Sequence, residues 1–269
     1  MDDFNFVRAS SVADASKRAA AATEAKYLAG GQTLLPVMKQ RLASPSDLIS
    51  LSRIPELSAI SCDDDKIVIG ATARHADVAA HPGINALLPA LAVLAGGIGD
   101  PHVRNRGTIG GSLANNDPAA DYPAAALGLG ATIETDKRHI AADDYFQGLF
   151  STALDAGELI TRVVFPIPRR AGYIKFPHAA SRYALVGVMV SQSATGVRVA
   201  VTGAGAGVFR VPAMEMALAR SFSAASIEAS TVPPTDLTSD IHGSAEYRAH
   251  LITIMARRAV ARALGESLS

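Results

Sequence analysis

Leu28-Ala29-Gly30-Gly31-Gln32-Thr33-Leu34-Leu35-Pro36 and the later run Asn105-Arg106-Gly107-Thr108-Ile109-Gly110-Gly111-Ser112 decide how this chain reads. Each Gly-Gly pair removes two Cβ atoms, leaving a backbone free to adopt φ > 0 and to come within contact distance of a ligand. Successive N–H groups in such a turn form a concave anion site. The first pair runs into Leu34-Leu35-Pro36-Val37-Met38-Lys39, which reads as the start of a helix whose N-terminus adds partial positive charge. The second pair stands among Thr108, Ser112, Asn115, Asn116, Asp117 and Asp121, hydroxyls, amides and carboxylates suited to phosphate and sugar-like oxygens. Together they predict two turns that clasp one diphosphate from opposite sides.

Other phosphate-binding signatures are missing. Gly203-Ala204-Gly205-Ala206-Gly207 continues with Val208 and does not make GxGxxG, and GKS or GKT does not occur. GxSxG is likewise missing, and no nucleophile and base stand in a recognisable constellation. His75 and His81 flank Asp77, but their spacing matches no zinc motif and predicts no metal site.

Composition narrows the class. The 269 residues carry 25 basic and 25 acidic side chains, which argues against binding driven by neutralising nucleic-acid phosphates. There is no run of about eighteen apolar residues and no signal-like start, so a cytoplasmic protein without a membrane span is expected. Cys62 is the sole cysteine, too few for a disulfide within the chain or for the thiolates of an iron–sulfur cluster.

The element pattern is α+β. Ser11 and Asp14 suit the cap and first turn of a helix up to Ala25. Strand-like runs follow at Lys26 to Ala29, Asp47 to Leu51, Ile67 to Ile69 and Ala131 to Thr135, with helical runs at Pro89 to Ala95 and Pro123 to Leu129. Phe165-Pro166-Ile167-Pro168-Arg169-Arg170 breaks regular structure and sets a boundary. Beyond it lie three β-leaning runs, Gly172 to Phe176, Leu185 to Ser193 and Val197 to Gly203, and then helical runs at Ala213 to Ala219, Ala224 to Ala229 and Ala245 to Leu264. In the last, Tyr247, Leu251, Ile254 and Met255 share a face.

AGGQTLLPVMK and VRNRGTIGGSLANNDPAADYPAA resemble the two FAD-pyrophosphate segments of the medium subunit of molybdenum hydroxylases, the group that includes carbon monoxide dehydrogenase and xanthine dehydrogenase. The similarity continues in order through GELITRVVFP (Gly157 to Pro166), GYIKFPHAASRYALVGV (Gly172 to Val188) and SAEYRAHLITIMARRAV (Ser244 to Val260). It implies a vanillyl-alcohol-oxidase (PCMH)-type FAD-binding domain of two α+β subdomains over residues 1–168. A C-terminal domain over 169–269, with a three-stranded antiparallel sheet and a helix bundle, is implied after it.

The resemblance also implies FAD contacts. Ala29, Gly30, Gly31, Gln32 and Thr33 are expected at the diphosphate; Thr108, Gly110, Gly111 and Ser112 near the phosphates or ribityl chain; Asp121 as acceptor from a ribityl or ribose hydroxyl; Leu159 or Ile160 as apolar wall; Lys175 near the flavin ring or the acceptor. Each has a plainer reading. Asp121 suits a cap for the helix at Pro123, Lys175 an exposed strand position, and Asn115, Asn116 and Asp117 a turn before Pro118. His102 stands where members of the family often carry glutamine, and His178 where they carry another basic residue.

The implied activity is that of an oxidoreductase subunit. The substrate would be oxidised on a large molybdenum-cofactor subunit, electrons relayed by the [2Fe–2S] clusters of a small subunit, and this chain's FAD would pass them to a terminal acceptor, in a dimer of heterotrimers. Two other readings stay open: a self-contained FAD oxidoreductase, and a non-catalytic assembly subunit in which the glycines only shape the fold.

Overall fold

The computed structural model describes residues 1–266. The chain begins with β1 (Asn5–Arg8), α1 (Val12–Ala21), β2 (Ala25–Leu28), α2 (Leu34–Lys39) and β3 (Asp47–Ser50). β1 and β2 flank β3 in a parallel sheet, Asn5 and Ala25 both pairing with Asp47. The Ser11 hydroxyl accepts from Asp14 N at 3.1 Å, as the sequence predicts for a capped helix.

A second sheet is antiparallel, in the order β4 (Ile60–Cys62), β5 (Lys66–Gly70), β10 (Ile160–Pro166), β6 (Thr132–Thr135) and β7 (His139–Ala141). Between β5 and β6 run six helices: α3 (His75–Ala80), α4 (Pro82–Leu87), α5 (Pro89–Gly96), α6 (Pro101–Arg104), α7 (Ile109–Asn115) and α8 (Asp121–Leu129). After β7 come α9 (Ala142–Tyr145) and a small hairpin of β8 (Phe146–Gly148) and β9 (Ser151–Thr152). Every residue of α8 is buried, which fits its composition of alanine, leucine and glycine around Tyr122 and Pro123.

The third sheet is antiparallel: β11 (Arg170–Pro177), β12 (Ala184–Ser193), β13 (Gly196–Thr202) and β14 (Phe209–Arg210). It has four strands, not the three expected, because the two-residue β14 is too short to leave an alternating pattern. β12 is covered on both faces, so Ala184 to Ser191 is one unbroken buried run. On one face lies α8, packed so closely that a Cβ on Gly128 would stand 2.7 Å from Met189. On the other, α10 (Pro212–Arg220) and α11 (Ala245–Leu264) cover Val186, Val188 and Val190. The expected helix bundle is therefore a layer laid on the sheet. Its close approach is set by Gly172, where a Cβ would stand 2.0 Å from the Ala259 carbonyl oxygen. The buried stripe of α11 runs through Leu251, Ile252, Met255, Ala256, Ala259 and Val260; Tyr247, expected on it, is exposed. No helix among the described residues is long and apolar enough to cross a membrane.

Candidate functional site

Three loops meet around a cavity of about 480 Å³: the β2–α2 turn, the segment leading into α7, and the β11–β12 connection. That volume lies within the range of about 300–1,000 Å³ usual for small-molecule sites.

The first wall is the turn Ala29 to Thr33. Gly31 sits at φ +75°, in the left-handed region that lets neighbouring amides converge. The N–H groups of Ala29, Gly30, Gly31, Gln32 and Thr33 donate to no backbone or side-chain acceptor among the described residues. Such a run of unspent donors on a cavity wall suits an anion. The turn is pressed onto the second segment at Gly30, where a Cβ would meet the Arg106 carbonyl oxygen at 2.0 Å.

The second wall differs from expectation. Gly110 and Gly111 do not form a turn. They open α7, and neither has a positive φ. Their amides are already used: Gly110 N donates to Ala71 O at 2.8 Å, Gly111 N to the capping Thr108 Oγ1 at 3.2 Å, and Ser112 N to Thr108 O at 3.0 Å. Gly110 does not line the cavity, being buried where a Cβ would strike Ala71 at 2.6 Å. This side of the cavity thus presents side chains, not amides. Ser112 and Asn115, like Gln32, Thr33 and Arg182 elsewhere on the lining, have side chains that make no hydrogen bond within the described residues.

Asp121 lines the cavity from the first turn of α8 and is nearly sealed from water. Its carboxylate accepts from the Tyr173 hydroxyl and from Lys175 Nζ, which stands 3.0 Å from Oδ1 and 3.1 Å from Oδ2. Lys175 also donates to Gly97 O at 2.8 Å. Burial pushes the Asp121 pKa up, against the opposing pull of the Lys175 charge and the Tyr173 hydrogen bond. Asp121 is therefore not the helix cap considered above; among the described residues its partners lie across the fold. Lys175 does not itself line the cavity, and neither does Leu159, which packs with Ile49, Leu51 and Leu57 beneath the parallel sheet.

Sequence reading left other lining residues out. Ser181, Arg182 and Tyr183 reach the cavity from the β11–β12 connection, where Arg182 takes φ +62°, and Gly99 and Asp100 reach it from the start of α6. Nothing local in the sequence signals these approaches. His75, weighed above only as a metal ligand, lines the cavity behind Gly107 with its ring 5.3 Å from that of Tyr122. Burial, aided by the Arg104 charge, lowers its pKa to about 4, so the ring is neutral at pH 7. His102 is exposed on α6, and His178 Nε2 lies 3.1 Å from His242 Nδ1 outside the cavity lining. The Gly205-Ala206-Gly207 run borders a separate cavity of about 510 Å³ with mostly apolar walls, including Phe146, Val208 and Phe209.

Residues 2–168 match the family described as the FAD binding domain in molybdopterin dehydrogenase. The chain belongs to the FAD-binding medium subunits of the molybdopterin dehydrogenases. It is 38% identical over 267 residues to the nicotine 6-hydroxylase medium subunit of Paenarthrobacter nicotinovorans, covering 94% of each chain. It is 35% identical to the carbon monoxide dehydrogenase medium chain of Afipia carboxidovorans, over 97% of this chain and 96% of that one. Among solved structures, a chain of reconstituted CO dehydrogenase from Oligotropha carboxidovorans superposes with a TM-score of 0.87 at 32% identity, covering 99% of both. Membership makes this medium subunit part of an oxidoreductase complex.

Proposed function

We propose that the cavity holds FAD, with its diphosphate on the amides of Ala29 to Thr33 and its ribityl chain and rings along the side chains of the α7 and β11–β12 walls. The observation that carries this is the run of five unspent amides around the left-handed Gly31. Hydrogen bonds to a charged acceptor contribute roughly 1.5–3 kcal/mol each, so several suffice to retain a cofactor without a covalent link. Thr108, whose hydroxyl proton is free to donate while its oxygen caps α7, and Ser112 then serve the phosphates or ribityl chain. Asp121 serves a sugar hydroxyl through a remaining lone pair, and Lys175 acts on the ligand through Asp121. Gly110 and Leu159 are kept as supports of the fold around the site.

When bound, FAD supplies the redox chemistry, accepting electrons that come from a partner's [2Fe–2S] clusters and yielding them to a terminal acceptor. This chain's residues bind and orient it and exclude water from the diphosphate. The lone Cys62 leaves clusters to a small iron–sulfur subunit, and molybdenum chemistry to a large one, in a cytoplasmic dimer of heterotrimers. Within the chain, 1–168 act as the FAD-binding domain and 169–269 as the C-terminal domain.

Co-expression and co-purification with candidate iron–sulfur and molybdenum-cofactor subunits, followed by substrate addition without oxygen, tests the reading. Bleaching of the visible flavin band supports it. A flavin that bleaches only when substrate meets this chain alone favours a self-contained oxidoreductase. Assembly and turnover without any flavin in this subunit favour the structural-subunit reading.

A further inference from the structure

His75 is 5% exposed and lines the cavity, yet its ring makes no hydrogen bond within the described residues. Nδ1 is shut off from solvent and has no partner among the described residues. Nε2 occupies the space a side chain on residue 107 would need, an ideal Gly107 Cβ standing 2.5 Å from it. Gly107 in turn lies against Gly30, its Cα 3.0 Å from where a Gly30 Cβ would be. His75, Gly107 and Gly30 thus form a row that ends at the free amides of the first turn.

A neutral imidazole carries one proton. Orphaned buried N–H groups are rarer than orphaned acceptors, so the tautomer with the proton on Nε2 is favoured, leaving only a lone pair at Nδ1. That N–H is a donor on the second side of the cavity, where the α7 amides are already spent on Ala71 O, Thr108 Oγ1 and Thr108 O. The neighbouring Arg104 guanidinium, which does not itself line the cavity, is tied to Ile98 O and Gly99 O and adds a fixed positive charge behind this wall.

We propose that His75 is a binding residue for the cofactor diphosphate, donating from Nε2 to a phosphate oxygen opposite the Gly30–Thr33 amides. The inference rests on the flavin reading above and adds the donor that Gly110 and Gly111 do not supply.

The test uses the full chain stripped of flavin, with FAD as probe, in wild type, His75→Leu and His75→Gln. FAD affinity is read from flavin fluorescence and the diphosphate environment from the phosphorus NMR of bound FAD. Loss of the donor in His75→Leu is expected to weaken FAD about tenfold or more and to shift a phosphorus resonance, with the visible flavin spectrum unchanged. His75→Gln, whose amide N–H reaches a similar point, is expected to stay within about threefold of wild type. If the leucine variant does not fold, His75→Asn, whose shorter amide falls back from the cavity, is expected to show the same loss relative to His75→Gln. Unchanged affinity and phosphorus resonances in His75→Leu or His75→Asn would overturn the proposal while leaving the flavin reading intact. A wild-type chain that takes up no FAD even in its complex would overturn both.

Discussion

Lys175 Nζ stands 3.0 Å from Asp121 Oδ1, joining a strand of the C-terminal sheet to the buried helix α8 at the edge of the cavity. Lys175 and Asp121 side chains are 10% and 4% exposed, so neither charge has much water to fall back on. Lys175→Met leaves a buried carboxylate with only Tyr173 and is expected to destabilise the fold by about 3 kcal/mol. The double variant Lys175→Met/Asp121→Asn removes the stranded charge and is expected to recover part of that loss. Urea denaturation of the three proteins measures it, and strictly additive effects would contradict the pairing.

The two glycines of α7 should separate by function. Gly110→Ala drives a Cβ into Ala71, whose backbone cannot yield cheaply, and is expected to cost about 1–3 kcal/mol. Gly111→Ala meets only Thr108 Oγ1 at 2.9 Å and is expected to disturb the cap, at about 1 kcal/mol. Gly111 lines the cavity and Gly110 does not, so flavin affinity should fall further per unit of lost stability in Gly111→Ala. Thermal melts paired with flavin titration decide the order.

Acid sensitivity should trace to His75. Its folded pKa of about 4 lies below the ordinary 6.5, so the unfolded chain takes up a proton that the folded chain refuses. The stability this implies is complete above pH 6.5 and is lost as pH falls toward 4, to a total of about 3 kcal/mol. Glu158, held at about 2 chiefly by its hydrogen bond from Arg138, adds a further loss only below about pH 4.5. Asp121, raised by burial, works in the opposite sense on acidification. His75→Leu is expected to flatten the melting-temperature profile between pH 6.5 and 4.5 relative to wild type. Parallel profiles would contradict the assignment.

Arg248 holds the C-terminal layer to the sheet. It is buried, its Nη1 donates to the carbonyls of Leu185 and Gly203, and its Nη2 pairs with Asp240 at 2.8 Å. Arg248→Met strands both carbonyls and is expected to lower stability by about 3 kcal/mol, read by denaturant titration, with flavin affinity little changed.

The first glycine turn was legible because residue type alone carries the message: Gly-Gly permits the left-handed Gly31, and no side chain among the described residues claims the amides. The second pair misled for a physical reason. Glycine is a poor helix former, so Gly110-Gly111 reads as a turn, but contact with Ala71 and the Thr108 cap outweigh propensity. The spacing of Thr108 and Gly111 was the available signal of a capped helix. Long strands such as β12 were legible from their apolar runs, whereas β14 is too short to show. The pairing of Asp121 with Lys175 and the arrival of Tyr183 at the cavity are tertiary, joining segments distant in the chain, and no local pattern announces them.

If the Gly30–Thr33 amides hold the FAD diphosphate, the flavin content of purified wild-type and Gly30→Ala chains, each assembled with its partners, reads it out. A Cβ at Gly30 must displace Arg106 O, 2.0 Å away, parting the first turn from the segment that leads into α7. Near-stoichiometric FAD is expected in wild type, with at least tenfold weaker retention in a Gly30→Ala chain that remains folded by circular dichroism. Equal FAD content in the two, or a wild-type complex that stays colourless with added FAD, would contradict it.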